Sequence, residues 1–296
     1  MTSVVVPVFN GAHVLGWSAP AVLALDGVAE IVYVDDGSTD DTAVHLAGLA
    51  SGLVRVVRLE QNVGRAAARN VGAAASHGDT LLFLDADVRP PPDLAVRFQA
   101  VLASGTAVAT VARIAFDGLG DDPYHDYLRR HRRGVADQPA GAAVPWKHFV
   151  TAACAVVRDA FETAGRFDEA VGYGEDLALA CALAARNPDG LVAAGATVVM
   201  TDAGTLDGAL AKVAAFGQSL HVVAERCPDV YRIAGLDGLR SPSWWLRAAG
   251  SQMAARFVRR SLGRLPLPAR VRAVRYLLGQ SILHAHARND PFRARL

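Results

Sequence analysis

Two carboxylates, Asp85 and Asp87, follow an apolar run and precede three consecutive prolines in the stretch LLFLDADVRPPP, residues 81–92. Alternation along a strand would place both carboxylates on one face, with Ala86 on the other. Carboxylate oxygens suit Mg²⁺ or Mn²⁺, and two of them leave coordination positions for phosphate oxygens and water. The spacing therefore predicts a divalent-metal site at a strand end. The structural alternative is an aspartate pair that caps the turn before Pro90.

Another acidic pair, Asp35 and Asp36, follows the apolar run EIVYV. A carboxylate only accepts hydrogen bonds, so either aspartate could accept one from an N–H group of a ligand. The segment DDGSTDD is equally typical of a turn that leads into a helix, with Ser38 or Asp40 as the cap. The sequence leaves both interpretations open.

Charged residues also begin two predicted helices. Arg65 and Arg69 are four residues apart in NVGRAAARN and therefore share one helix face, from which Arg69 could pair with Asp36 or Asp85. Glu175 and Asp176 follow a glycine-rich turn. Such a pair could supply a general base, or it could be first-turn acids favoured by the helix dipole.

These side chains require a scaffold in which apolar strands end in polar turns. The patterns predict strands at 3–10, 30–35, 54–60 and 80–87, separated by segments with helical character. Strands that alternate with helices favour an α/β fold with a mainly parallel sheet and helices on its faces. Ligands are expected at the carboxyl ends of the strands, where the polar groups lie.

The C-terminal region differs in charge from the rest of the chain. The 296 residues carry a net charge of +1, but residues 240–296 contain twelve arginines, no lysine and one acidic residue. Two helical pieces are predicted there, around Pro266 and Pro268. Contact with anionic lipid, packing on the preceding domain and a homo-oligomer interface all fit this composition. Nucleic-acid binding is not expected, because no recognition module accompanies the charge.

Composition also bears on location. The N-terminus has no basic segment, and no uninterrupted apolar stretch approaches 18 residues, so neither secretion nor a membrane span is expected. The three cysteines are widely spaced and form no Cys-x-x-Cys motif, which argues against a disulfide framework. These features favour a cytoplasmic protein, or one peripheral to the inner face of a membrane.

Five motifs follow one another along the chain: VVVPVFN, VDDGSTDDT, NVGRAAARNVG, FLDADV and GRFDEAVGYGEDLALACAL. Together they resemble the catalytic domain of family 2 glycosyltransferases with the GT-A fold. The resemblance covers about residues 1–205, so it implies a nucleotide-sugar-binding catalytic domain there. Residues 206–296 would form a helical, arginine-rich extension.

The resemblance also implies roles for individual residues. Asp87 would contact Mn²⁺ or Mg²⁺ directly, while Asp85 would contact ribose or metal-bound water. Asp176 would be the catalytic base, with Glu175 beside it. The nucleotide would lie against Pro7, Val8, Phe9, Asp35, Asp36, Asn62, Arg65, Arg69, Asp85 and Ala86. Asp36 would be the first choice, and Asp35 the second, to accept a hydrogen bond from the N–H of the nucleotide base.

The expected function is metal-dependent, inverting transfer of a single sugar from a nucleotide sugar, with UDP as the expected nucleotide. The acceptor is left open among polyprenyl phosphate, glycan, peptide and natural product, and the polar insertion at 117–150 could either contact it or be a surface loop. The Gln-x-x-Arg-Trp signature of processive synthases is absent. A nucleotidyltransferase is the alternative enzyme, although VPVFNGAHVLG lacks the lysine of a phosphate loop. A catalytically silent nucleotide-binding protein is the third alternative.

Overall fold

A computed structural model describes residues 1–49, 52–130, 133–135, 138–230 and 252–289. The chain divides into two compact units. The first comprises Met1–Asp117, Arg132–Glu169 and Glu175–Asp202, and the second comprises Gly118–His131, Ala170–Gly174 and Ala203–Leu296. The insertion at 117–150 is therefore shared between the units. A functional division near residue 205 stays a prediction.

The first unit is built on a mixed sheet. In the part of the chain that the structure describes, the strand order is β3-β2-β1-β4-β8-β6-β9-β5, with β7 paired to β6. The first four strands are mutually parallel, as predicted, whereas β8 runs antiparallel to both β4 and β6. The strands are β1 (Thr2–Val8), β2 (Glu30–Asp35), β3 (Val54–Arg58), β4 (Thr80–Leu84), β5 (Val88–Arg89), β6 (Ala109–Phe116), β7 (Arg133–Gly134), β8 (Ala153–Val157) and β9 (Leu191–Met200).

Both faces of this sheet are buried. Along β1, Val4 and Val6 belong to one hydrophobic cluster and Val5 to another, as the two-residue period of a strand requires. A parallel strand covered on both faces has a continuous apolar sequence, which explains the run VVV. The helices of the first unit are α1 (Ala12–Leu23), α2 (Thr42–Ala47), α3 (Arg65–Ala74), α4 (Leu94–Leu102), α6 (Arg158–Thr163) and α7 (Glu175–Arg186).

The strand that precedes the Asp85–Asp87 motif is shorter than predicted. β4 ends at Leu84, and residues 85–87 form a turn in which the Val88 amide donates to the Asp85 carbonyl at 3.1 Å. The prediction that strand alternation sets the directions of Asp85 and Asp87 is therefore wrong. The chain turns there because β5 begins at Val88 and pairs with β9 instead of continuing β4.

The second unit is helical. It contains α5 (Pro123–Arg130), α8 (Leu206–Arg226), α9 (Gln252–Ser261) and α10 (Leu267–Asn289), and α10 packs against α5, α8 and α9. The predicted division into two helical pieces is confirmed at Pro266, which lies between α9 and α10, whereas Pro268 is the second residue of α10 and not part of the break. Among the described helices, none has the length and apolarity needed to cross a membrane.

The sequence pattern argued against disulfide bonds, and this prediction is wrong for two of the three cysteines. In the first unit, Cys154 is a free, buried thiol and Cys181 is disulfide-bonded. In the second unit, Cys227 is disulfide-bonded. Disulfide bonding depends on tertiary structure and not on the spacing of cysteines in sequence, which is why the pattern did not indicate it.

Candidate active site

The loops that follow β1 and β2 are joined by hydrogen bonds. The Asn10 amide donates to Ser38 Oγ at 2.9 Å, and Asn10 Oδ1 accepts from the Thr39 amide at 2.9 Å. The Gly11 amide donates to Thr42 Oγ1 at 2.8 Å. Asn10 has φ +50°, a conformation that asparagine tolerates better than most residues. Sequence reasoning missed this contact, for which asparagine at a strand end was the available signal.

The predicted cap at Asp40 serves two helices. Its carboxylate accepts from the amide of Thr42 at 3.0 Å and from the amide of Ala12 at 3.2 Å, which are the first residues of α2 and α1. These bonds satisfy amides that have no partner within their own helices. Asp40 therefore helps to fix both loops at the carboxyl edge of the sheet.

Asp35 and Asp36 are both buried but have different surroundings. Asp35 Oδ1 accepts from the Ser38 amide at 2.9 Å within the turn. Asp36 accepts from the amides of Val63 at 2.8 Å and Gly64 at 3.1 Å, one at each carboxylate oxygen. Burial, with repulsion from Asp35, raises the pKa of Asp36 above its ordinary value, although these two hydrogen bonds act in the opposite direction. Asp36 thus ties the loop before α3 to the end of β2.

The central feature of the site is Arg69, whose side chain is 2% exposed. Its guanidinium donates to Asp85 Oδ1 at 2.7 Å and to Glu175 Oε1 at 2.8 Å. Burial lowers the pKa of Arg69, but Asp85 and Glu175 raise it by more. Of the two predicted partners, Asp85 is confirmed, and Glu175 is a partner that the sequence did not indicate.

Glu175 is a buried member of this ion-pair group. Its side chain is 3% exposed, and Oε1 also lies 3.6 Å from Nε of Arg65. Arg65 and Arg69 therefore point to the same carboxylate from one face of α3, as their spacing predicted. A buried carboxylate held by two guanidinium groups is suited to orienting its neighbours.

Asp176 is the second residue of α7, next to Glu175, and is partly exposed. Its carboxylate accepts a hydrogen bond from the Leu177 amide at 2.8 Å. Burial, followed by repulsion from Glu175, raises the pKa of Asp176 to about 6, although Arg69 and Arg65 act in the opposite direction. At neutral pH the group is therefore ionised but more basic than an ordinary aspartate.

Asn70 holds the segment that leads to α7. Its side-chain amide donates to the carbonyl of Phe167 and to Glu169 Oε1, both at 2.9 Å, and its Oδ1 accepts from the Phe167 amide at 3.1 Å. The adjacent residues Arg69 and Asn70 thus join α3 to residues about 100 positions later. The positions of Asp85 and Glu175 depend on this connection.

The remaining predicted nucleotide-binding residues lie at or near the same sheet edge. Val8 is buried and accepts from the Asp36 amide through its carbonyl at 2.8 Å, while Pro7 is half-buried. Phe9 is 48% exposed, so it is not a core residue. Asn62 and Arg65 are exposed, and Ala86 is partly exposed.

The metal prediction concerns Asp85 and Asp87, which share one turn and are both partly exposed. Asp85 uses Oδ1 to accept from Arg69. Among the described residues, no group of three or more histidine, cysteine or acidic side chains could hold a metal ion. Two carboxylates fit a divalent cation only if other oxygen ligands, such as phosphate, complete its coordination.

Comparison with solved structures shows the fold. The chain resembles mannosyltransferase PcManGT from Pyrobaculum calidifontis, in complex with GDP-Man and Mn²⁺, with a TM-score of 0.64 and 19% identity over 97% of this chain and 86% of that one. This neighbour has the GT-A fold, so the predicted fold class is confirmed.

Comparison with known sequences shows the family. An undecaprenyl-phosphate 4-deoxy-4-formamido-L-arabinose transferase of Pseudomonas aeruginosa is 38% identical over 165 residues, which cover 46% of this chain and 48% of that protein. The pre-mycofactocin glycosyltransferase of Mycobacterium tuberculosis is 30% identical over 264 residues, 84% of this chain and 53% of that protein. The chain spans about half the length of both relatives. Residues 3–164 match the family model for glycosyl transferase family 2, and the chain therefore belongs to that family.

Proposed function

We propose that this chain transfers a single sugar from a nucleotide diphosphate sugar to an acceptor, with inversion at the sugar carbon. The observation that carries the proposal is the buried Arg69 bridge. It joins Asp85, in the motif expected to bind the donor, to Glu175, which precedes the expected base Asp176. A donor-binding group and a base must be held in fixed relative positions for transfer, and this bridge provides that rigidity.

The donor half would be formed by the edge at which β1, β2 and β4 end. Asp85 and Asp87 would hold Mn²⁺ or Mg²⁺ together with phosphate oxygens, and the ion would stabilise charge on the departing diphosphate. The GDP-Man and Mn²⁺ in the complex of the mannosyltransferase neighbour support this assignment. The proposed nucleotide site also includes the other residues expected to contact the nucleotide, which are Pro7, Val8, Phe9, Asp35, Asp36, Asn62, Arg65, Arg69 and Ala86.

On the acceptor side, we assign the base to Asp176 and a positioning role to Glu175. Glu175 is buried and committed to arginine, so it has no free access to an acceptor. Asp176 is partly exposed and has a pKa of about 6, so it is ionised at neutral pH and can still accept a proton. One face of the sugar would receive the acceptor oxygen while the nucleotide leaves from the other.

Polyprenyl phosphate is our first candidate for the acceptor, because the Pseudomonas aeruginosa relative is named for undecaprenyl phosphate. A phosphate nucleophile loses its second proton near pH 6 and needs little help from a base, whereas a sugar or peptide hydroxyl needs a base throughout. Replacement Asp176→Asn should therefore nearly abolish transfer to a hydroxyl but reduce transfer to a phosphate much less. The relative loss with the two acceptors would distinguish these acceptor classes.

A location at the inner face of a membrane is part of this proposal. A lipid-linked acceptor would place the reaction at a membrane surface. The outer face is the competing location, because Cys181 and Cys227 are disulfide-bonded and protein disulfides are more common in oxidising compartments. Localisation of the tagged protein, with protease accessibility from either side of the membrane, would decide between the two faces.

The test is calorimetric binding of UDP, GDP and dTDP, with and without Mn²⁺, to the wild type and to Asp87→Ala. We expect metal-dependent binding of one nucleotide, with UDP the first expectation, and loss of that binding in Asp87→Ala. The control is Asp189→Ala, which removes an exposed carboxylate of the first unit outside the site. Equal binding by wild type and Asp87→Ala would contradict the metal assignment.

Product analysis separates the alternatives. A glycosyltransferase releases the nucleoside diphosphate from its donor, whereas a nucleotidyltransferase releases pyrophosphate. Binding without turnover of any nucleotide sugar, with each acceptor class supplied, would favour the silent binding protein.

A further inference from the structure

Helix α9 presents an unusual surface. Met253 and Phe257, one helical turn apart, are 79% and 71% exposed. Arg256 and Arg260 are also exposed and are spaced by one turn beside them. The outer face of α9 therefore carries an apolar ridge next to a cationic ridge.

The other side of α9 faces its own unit. Ala255, Arg256 and Arg259 contribute to the lining of a cavity of about 340 Å³ together with side chains of α8 and α10, so the exposed Arg256 lies at the border between the inner and outer sides of α9. Arg259 also forms an ion pair with Asp207 at the start of α8. Since these contacts fix which side of α9 points inward, the exposure of Met253 and Phe257 follows from how the helix packs.

The surroundings of α9 are strongly cationic. Residues 252–289 contain eight arginines and no acidic residue. Arg264 and Arg272 are among the exposed side chains, and Leu267, at the start of α10, is 43% exposed. Arg259 and Arg270 pair with Asp207 and Asp126, whereas the four arginines named as exposed have no ion pair among the described residues. Exposed apolar side chains beside such arginines suit a surface that offers both an apolar layer and negative charge.

We propose that α9 is an interfacial helix that binds an anionic lipid bilayer. Met253 and Phe257 enter the boundary between headgroups and acyl chains, and Arg256 and Arg260 contact the lipid phosphates. Charge complementarity selects this occupant, because each arginine near an anionic membrane contributes about 1 kcal/mol of attraction. A second copy of the chain would bring the same cationic surface against itself, which its like charges oppose. The proposal extends the proposed function and does not depend on it, since it concerns binding and not turnover.

The first test is sedimentation of the whole chain with vesicles of phosphatidylcholine alone or mixed equally with phosphatidylglycerol. We expect binding only to the mixed vesicles. Replacement of both Arg256 and Arg260 by Gln should weaken it by roughly thirtyfold, from about 1 kcal/mol for each arginine. The double variant Met253→Ser/Phe257→Ser should weaken it by roughly tenfold or more.

The matched controls are Val44→Ser and Arg272→Gln. Val44 is an apolar residue of the first unit with 72% exposure, close to that of Phe257, so its replacement removes a similar exposed apolar surface. We expect Val44→Ser to bind vesicles like the wild type. Arg272→Gln should weaken binding less than either Arg256→Gln or Arg260→Gln alone. Far-UV circular dichroism would establish that each variant is folded.

Insertion is tested separately from attraction. Tryptophan at position 257 (Phe257→Trp) should be quenched by vesicles with brominated acyl chains, and tryptophan at position 44 (Val44→Trp) should not, each measured against the wild type. Equal quenching at both positions, or an unchanged affinity of Met253→Ser/Phe257→Ser, would overturn the proposal. The proposal would also be overturned if the wild type were an oligomer and Met253→Ser/Phe257→Ser were a monomer. Binding of duplex DNA that depends on the arginines, without any binding of vesicles, would overturn it as well.

Discussion

Arg69 donates hydrogen bonds to both Asp85 and Glu175, and its replacement by Met removes this shared donor while keeping much of the side-chain volume. Glu175 is 3% exposed, so it would become a buried carboxylate with only Arg65, 3.6 Å away and itself 41% exposed, as a charge partner. Asp85 is 31% exposed and can regain hydration. Breaking a buried ion pair by removing one partner typically costs 3 to 5 kcal/mol. We expect Arg69→Met to lower the free energy of unfolding by about 3 to 5 kcal/mol, chiefly through Glu175.

The assay is urea unfolding monitored by far-UV circular dichroism. It is done at about pH 7.5, which is above the raised pKa of Asp176. The control is Arg97→Met, because the pair of Arg97 with Asp93 is about half exposed on both sides and should contribute less than about 1 kcal/mol. The double variant Arg69→Met/Glu175→Gln removes the stranded charge together with its partner. It should be more stable than the sum of the single effects by about 2 kcal/mol.

Two results would refute this reasoning. One is a loss in Arg69→Met no larger than that in Arg97→Met, since the buried carboxylate would then cost nothing. The other is strict additivity in the double variant, because the two groups would then contribute independently. If Arg69→Met lost sugar transfer but not stability, Arg69 would act through contact with a ligand and not by stabilising the fold.

Further predictions concern Asp176 and Gly37. Because a base must be ionised, kcat/KM should fall about tenfold for each pH unit below the Asp176 pKa of about 6, and the pH profile of transfer measures this limb. The folded-state pKa lies above the unfolded value, so ionisation of Asp176 costs stability as pH rises from about 4 to 6. Asp176→Asn should therefore raise the free energy of unfolding at pH 8, by up to about 3 kcal/mol, and the gain should vanish below about pH 4 in urea titrations. Gly37→Ala should destabilise by at least about 2 kcal/mol in the same assay, because Gly37 has φ +70° and an added Cβ would lie 2.6 Å from the Asn62 amide nitrogen and also contact Gln61.

The sequence predicted those features that depend on local pattern. Apolar runs located the four parallel strands, and the four-residue spacing of Arg65 and Arg69 predicted one shared helix face. The antiparallel insertion of β8 between β4 and β6 was not predicted, because strand direction is set by pairing between distant segments. The Arg69 contact with Glu175 was missed for the same reason, since 106 residues separate the two in sequence.

The charge balance around Arg69 links the stability of the site to the chemistry that we propose for it. The guanidinium of Arg69 is hydrogen-bonded to two carboxylates, Asp85 and Glu175, and Arg65 lies 3.6 Å from Glu175, so two cations already balance two anions. Asp176 adds a third negative charge, and its ionisation receives only part of the stabilisation that Arg69 could give an isolated aspartate. Burial and repulsion from Glu175 therefore leave Asp176 with the raised pKa that suits a base, and the bridge that fixes the geometry also keeps Glu175 beside it. A chain in which Glu175 was neutral would hold the site less firmly and would make Asp176 a weaker base.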